Sequence, residues 1–150
     1  MKVTVLLRND HEALTALFNK FKKSGPRQEG KKALFDEMRK EILIHSQMEK
    51  EIFYPALSGT ASTQAADLVA NQEQQHRSME KLIQELEGMN GSEKNFESKM
   101  TQLMEQVLMH IEQAEEEIFE EARKNIPEYR LEELGLEMEH RRKILTTLAA

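Results

Sequence analysis

Four long stretches of this chain carry apolar residues at helical spacing, and each stripe has a histidine set into it. A stripe of that kind must be buried against another, so the four together constrain the fold more than any other feature. The first is Leu7, Leu14, Leu17, Phe18 and Phe21 around His11, in a helix expected over about Thr4–Lys23 and ended by Ser24-Gly25-Pro26. The second is Leu34, Met38, Ile42, His45, Glu49, Ile52 and Phe53, over about Gln28–Leu57, with Pro55 expected to kink or end its last turn. The third is Leu68, Val69, Gln72, His76, Met79, Ile83 and Leu86, over about Thr63–Glu87. The fourth is Phe96, Met100, Leu103, Val107, His110, Ala114 and Ile118, over about Glu93–Lys124, with Ser92 as its candidate cap.

Residues 58–62 and 88–92 read as the turns between helices, and Pro127 closes the fourth. Long helices joined by short turns predict an all-α fold: an antiparallel up-down-up-down four-helix bundle over residues 1–127. Residues 128–150 read as a short C-terminal helical tail packed on the outside of the bundle, with Gly135 as a potential break. Few residues oppose this: the 150-residue chain has three prolines, six glycines and no tryptophan.

The net charge of -6 and the lack of a basic stripe argue against nucleic acid or an anionic membrane surface as partner. No apolar run has the roughly 18–20 residues that a membrane span needs. The N-terminal stretch is too short before its first charges for a secretory signal. With no cysteine, thiolate metal sites, disulfides and thiol catalysis are excluded, which accords with a cytoplasmic location. There is no phosphate loop, no nucleophile–base pair and no His-Glu-x-x-His element.

The chemistry lies in the stripes. His45 and Glu49 are four apart, so they share one helix face with Ile42, Ile52 and Phe53 and point into the core. A carboxylate there is costly unless it is paired or binds a metal. A lone histidine on an apolar stripe is often a core residue with one hydrogen bond, and a metal-free bundle with four of them is the bland alternative. Four imidazoles at compatible depths of one antiparallel bundle would each need a partner, and a bound metal satisfies them together. Imidazole with carboxylate suits iron, zinc, manganese or copper, not calcium.

These residues resemble the hemerythrin-like, or HHE cation-binding, family over about residues 4–124. The resemblance rests on Asp10-His11, on His45-x-x-x-Glu49 followed by Glu51-Ile52-Phe53-Tyr54-Pro55, on His76, and on His110 with the acidic run ahead of Ile118-Phe119. It implies a bundle holding two oxo- or hydroxo-bridged irons, with His11, His45, Glu49, His76 and His110 among the ligands. The second carboxylate is irregular. The position four after His110 is Ala114, and Glu115 stands five after, about 140° off the histidine's face on an ideal helix. A single wide turn would bring it round, so Glu115 is assigned as the second carboxylate, with Glu117 and Glu80 as alternatives. Gln72 stands where the oxygen carriers of the family have a further histidine. That leaves the set one ligand short. His140, among charges on the tail, reads as a surface residue.

The resemblance implies binding of oxygen, peroxide or nitric oxide at a non-haem di-iron site, in oxygen or redox sensing or oxidative-stress defence. Two alternatives stay open: a peroxide-decomposing or nitric-oxide-reducing enzyme, and an iron storage or sensing module without small-gas chemistry. A sensor would act through a separate protein partner.

Overall fold

The computed structural model describes residues 1–24 and 28–149. Among these residues every regular element is helical. The first helix, α1, is Val3–Lys23, and its last turn is held by Ser24, whose backbone and side chain both bond the Phe21 carbonyl, at 3.2 and 2.7 Å. Gly25 and Pro26, which the sequence marks as the end of α1, lie outside the described residues.

The second rod is α2 (Gln28–Met48), a π-helical turn (Glu49–Phe53) and α3 (Tyr54–Ser58). Pro55 does not break it. The wide turn just before it absorbs the proline, which sits in the first turn of α3, where its missing N–H is harmless. The rod ends at Gly59 instead. The third rod is α4 (Thr63–Glu87), whose N-cap Ser62 accepts from the Ala65 amide at 3.0 Å. The fourth is α5 (Phe96–Gln113), a second π-helical turn (Ala114–Ile118) and α6 (Phe119–Asn125). It starts three residues later than the sequence predicts. Glu93 turns back to accept from the Asn90 and Gly91 amides, and Gly91 takes a φ of 99°, so these residues form a turn rather than the first helical coil.

The sequence expects four helices and a short tail, but the described residues form five rods. The last, α7, is Glu128–Ala149; at 22 residues it is as long as α1 and runs unbroken through Gly135. That glycine is a close-packing site: a Cβ there would lie 1.9 Å from the Met1 carbonyl oxygen. No helix among the described residues is long and apolar enough to cross a membrane.

The rods bury two apolar clusters with a polar layer between them. One gathers Leu14, Phe18, Phe35, Met38, Met79, Ile83, Phe96 and Met100. The other gathers Val3, Leu7, Met48, Phe53, Val69, Ile118 and Phe119 with Leu131, Leu134 and Met138 of α7. Fully buried phenylalanines anchor both, each stabilising the fold by about 1.5–3 kcal/mol relative to exposure. The second and third rods run in opposite directions, for Arg39 meets Glu87, Lys50 meets Glu80, and Tyr54 meets Gln72, whereas α7 runs parallel to α1, with Lys2 against Glu128 and Asp10 against Arg142. This arrangement brings His11, His45, His76 and His110 to one level between the clusters, each less than 5% exposed.

Candidate metal centre

Glu49 is the hub of the polar layer. It is 1% exposed, and its Oε1 lies 3.1 Å from His76 Nε2, 3.3 Å from His110 Nε2 and 3.4 Å from His45 Nε2. The two imidazoles of α4 and α5 meet closely, with Nε2 atoms 3.3 Å apart. The donor atoms of His45, Glu49 and His110 all lie within 4.8 Å of one another.

In three of the four rings the other nitrogen points outward to a partner that fixes the ring; His76 Nδ1 has none. His45 Nδ1 pairs with Asp10 Oδ2 at 2.8 Å, and His11 Nδ1 with Glu115 Oε2 at 2.7 Å. His110 Nδ1 donates to Gln75 Oε1 at 3.0 Å. Such outward partners are what a metal-binding imidazole needs to hold its tautomer and direction. Among the described residues five buried side-chain atoms lack a hydrogen bond: His11 Nε2, His45 Nε2 and Glu49 Oε2, together with His76 Nδ1 and Gln106 Oε1. Orphaned atoms such as the first three, in an otherwise close-packed core, fit a cation held between them.

The electrostatics agree. Burial would raise the Glu49 carboxyl, but the charges of His45 and His110 hold it well below its usual range. Burial would lower His45, yet the Glu49 charge and the Asp10 hydrogen bond outweigh it and lift the imidazole to about 10. His11 goes the other way, to about 4, through burial and the charge on His45. The layer therefore demands positive charge beside Glu49, which a bound cation supplies as well as a proton does.

Six residues were singled out in the sequence. His11, His45, Glu49, His76 and His110 converge on this layer. Glu115 reaches it differently. It is near His11 and within 3.6 Å of Arg8, with its side chain 31% exposed, and it stands outside the group around Glu49. Of the alternatives, Glu80 pairs with Lys50 at the surface, and Glu117 is exposed. His140 is exposed on α7.

Tyr54 was missed as a site residue. Its hydroxyl is 3.2 Å from His76 Nε2 and donates to Gln72 Oε1 at 2.8 Å. Burial, then the nearby Glu49 charge, pushes this phenol well above its ordinary range. Gln72 is fully buried and spends its amide on the His110 carbonyl and Gln113. A phenol held by the Gln72 amide thus stands beside His76. On an ideal helix Tyr54 is nine residues from His45, or about 180° away, so only the wide turn makes it visible.

Beside the imidazoles lies a cavity of about 10 Å³, lined by His11, His45 and His110 on one side and Leu14, Ile42, Met79 and Val107 on the other. It has room for about one water-sized molecule.

Residues 3–122 match the hemerythrin HHE cation-binding domain. The chain is similar to a crystal structure of a hemerythrin HHE cation-binding domain-containing protein from Mycobacterium kansasii, described as an Rv2633c homolog. Identity is 26% and the TM-score 0.83, over 97% of this chain and 87% of that one. It is also 25% identical, over 91% of its length, to a DNA nickase of Nostoc sp. (strain PCC 7120 / SAG 25.82 / UTEX 2576). It spans only 38% of that relative.

Proposed function

The chain belongs to the hemerythrin HHE cation-binding family, and from that premise we propose that it holds a pair of iron ions and binds oxygen, peroxide or nitric oxide there. The observation that carries this reading is Glu49 Oε1 among three imidazole Nε2 atoms at 3.1–3.4 Å. His11, His45, His76 and His110 would hold the metal through their inward nitrogens, together with the Glu49 carboxylate. Glu115, which pairs with the outward nitrogen of His11, would serve as the second carboxylate only by leaving that nitrogen and turning inward. Tyr54 completes the set from the side of His76. Bound iron supplies a redox-active Lewis acid for a small ligand.

The protein's own part is to position and to exclude. Asp10 and Gln75 hold their imidazoles by Nδ1, while Leu14, Ile42, Met79 and Val107 keep the adjoining cavity narrow and apolar. That cavity is too small for a large substrate. Catalytic peroxide decomposition differs from reversible binding or sensing by steady turnover. A cytoplasmic place accords with the cysteine-free sequence. The net charge of -6 argues against carrying over the DNA activity named for the Nostoc relative.

The test is iron per chain, followed by the visible spectrum with azide or peroxide added. Two irons with a ligand-to-iron charge-transfer band support the reading. A colourless protein that takes up no iron overturns it.

A further inference from the structure

The match to the HHE domain stops at residue 122, yet α7 begins at Glu128 and reaches back to the metal layer. Its first half docks by apolar packing: Leu131, Leu134 and Met138 are at most 2% exposed, in the cluster with Val3, Leu7 and Phe53. Its second half adds charge pairs to a half-buried Leu145 packed on the same cluster. Arg141 makes a two-pronged pair with Glu51, at 2.6 and 3.0 Å, on the π-helical turn that carries Glu49. Arg142 donates to Asp10 Oδ1 and lies 3.9 Å from Glu41.

Asp10 has two jobs at once. One oxygen takes Arg142; the other is 2.8 Å from His45 Nδ1. The side chain is only 10% exposed, so water cannot readily replace a lost partner. A carboxylate fixed at both oxygens cannot rotate, and the imidazole it holds cannot rotate either. With Asp10 anchored, His45 keeps Nδ1 outward and Nε2 toward Glu49.

We propose that Arg142 is a positioning residue for the metal centre, acting through Asp10 on His45, so that α7 belongs to the site's supporting frame. This inference rests on the metal-binding reading above. A merely structural role would hold α7 down and do nothing more. The two roles separate when α7 is loosened elsewhere.

The experiment compares the intact chain with Arg142→Met, Arg142→Lys, Asp10→Asn, the Arg142→Met/Asp10→Asn double variant and Leu131→Ala. Two quantities are measured: Fe(II) affinity by chelator competition, and the melting temperature of the metal-free protein. Arg142→Met is expected to weaken Fe(II) binding by about 10–100-fold, as losses of such outer partners do. Arg142→Lys restores part of it. The double variant binds no more weakly than Asp10→Asn alone, because both act on one chain of contacts. Leu131→Ala lowers the metal-free melting temperature more than Arg142→Met does, with a smaller effect on affinity. Wild-type affinity in Arg142→Met, or additive losses in the double variant, overturns the inference and leaves the metal-binding reading standing. A wild-type chain that binds no Fe(II) overturns both.

Discussion

The two π-helical turns stand at the same distance after their histidines but carry different chemistry. After His45 the turn opens at Glu49 and closes with the Tyr54 amide on the Glu49 carbonyl; after His110 it opens at Ala114 and closes with Phe119 on Ala114. Glu49 therefore corresponds to Ala114, and Tyr54 to Phe119. Tyr54 leans on His76, with ring centroids 5.6 Å apart, and offers a hydroxyl. Phe119 stacks flat on His11, at 5.9 Å, and offers none. One turn supplies a fully buried carboxylate and a phenol; the other supplies a methyl group and a ring, and its Glu115 stays at the rim beside Arg8. The same backbone device thus builds a charged half and an apolar half, and the side chain at the turn's first position decides which.

The largest effect is expected from making the first turn resemble the second. Glu49→Ala removes the hub and should abolish iron uptake, read as metal per chain. Glu115→Ala should do less: on the proposed two-iron reading it drops the content toward one. If it keeps both, Glu115 serves only to hold His11. Tyr54→Phe copies Phe119 into the other half. It is expected to weaken iron retention about 10-fold, the lower end of losses at such groups, and to remove any phenolate-to-iron absorption band.

Two changes away from the turns sharpen the contrast by leaving the metal alone. Gly135→Ala forces a Cβ against the Met1 backbone, where the contact would be 1.9 Å. It should cost about 1–3 kcal/mol of stability, visible as a lower melting temperature with unchanged iron content. Glu93→Gln is the smallest. The Asn90 and Gly91 amides hold the Glu93 carboxyl below its ordinary value, so its contribution is present above the usual glutamate range and lost as pH falls through the lowered value. Wild type and variant should differ slightly in melting temperature at neutral pH and converge in acid, with equal iron content at neutral pH.

Much of this was legible from periodicity. The stripes place His11, His45, His76 and His110 inward, and the misfit of Glu115 calls for the wide turn that is found after His110. The matching turn after His45 gave no signal, because His45 and Glu49 are in register without it; its consequence, Tyr54 swinging onto His76, was hidden with it. The extent of α7 matches the expected tail, but its unbroken run and its docking were hidden for another reason. Its buried residues Leu131, Leu134, Gly135 and Met138 follow the helical period, but the next contacts inward are arginines paired with carboxylates far away in sequence. Hydrophobic patterning cannot register the ion pairs that help to dock a helix face.

X-ray absorption at the iron edge of the loaded protein tests the central claim most directly. An iron–iron vector of roughly 3.5 Å, in the range of paired-metal sites, with imidazole nitrogen around both ions, is expected if the proposed di-iron site forms. Isolated iron without a second metal neighbour, or iron surrounded by oxygen alone, would contradict it.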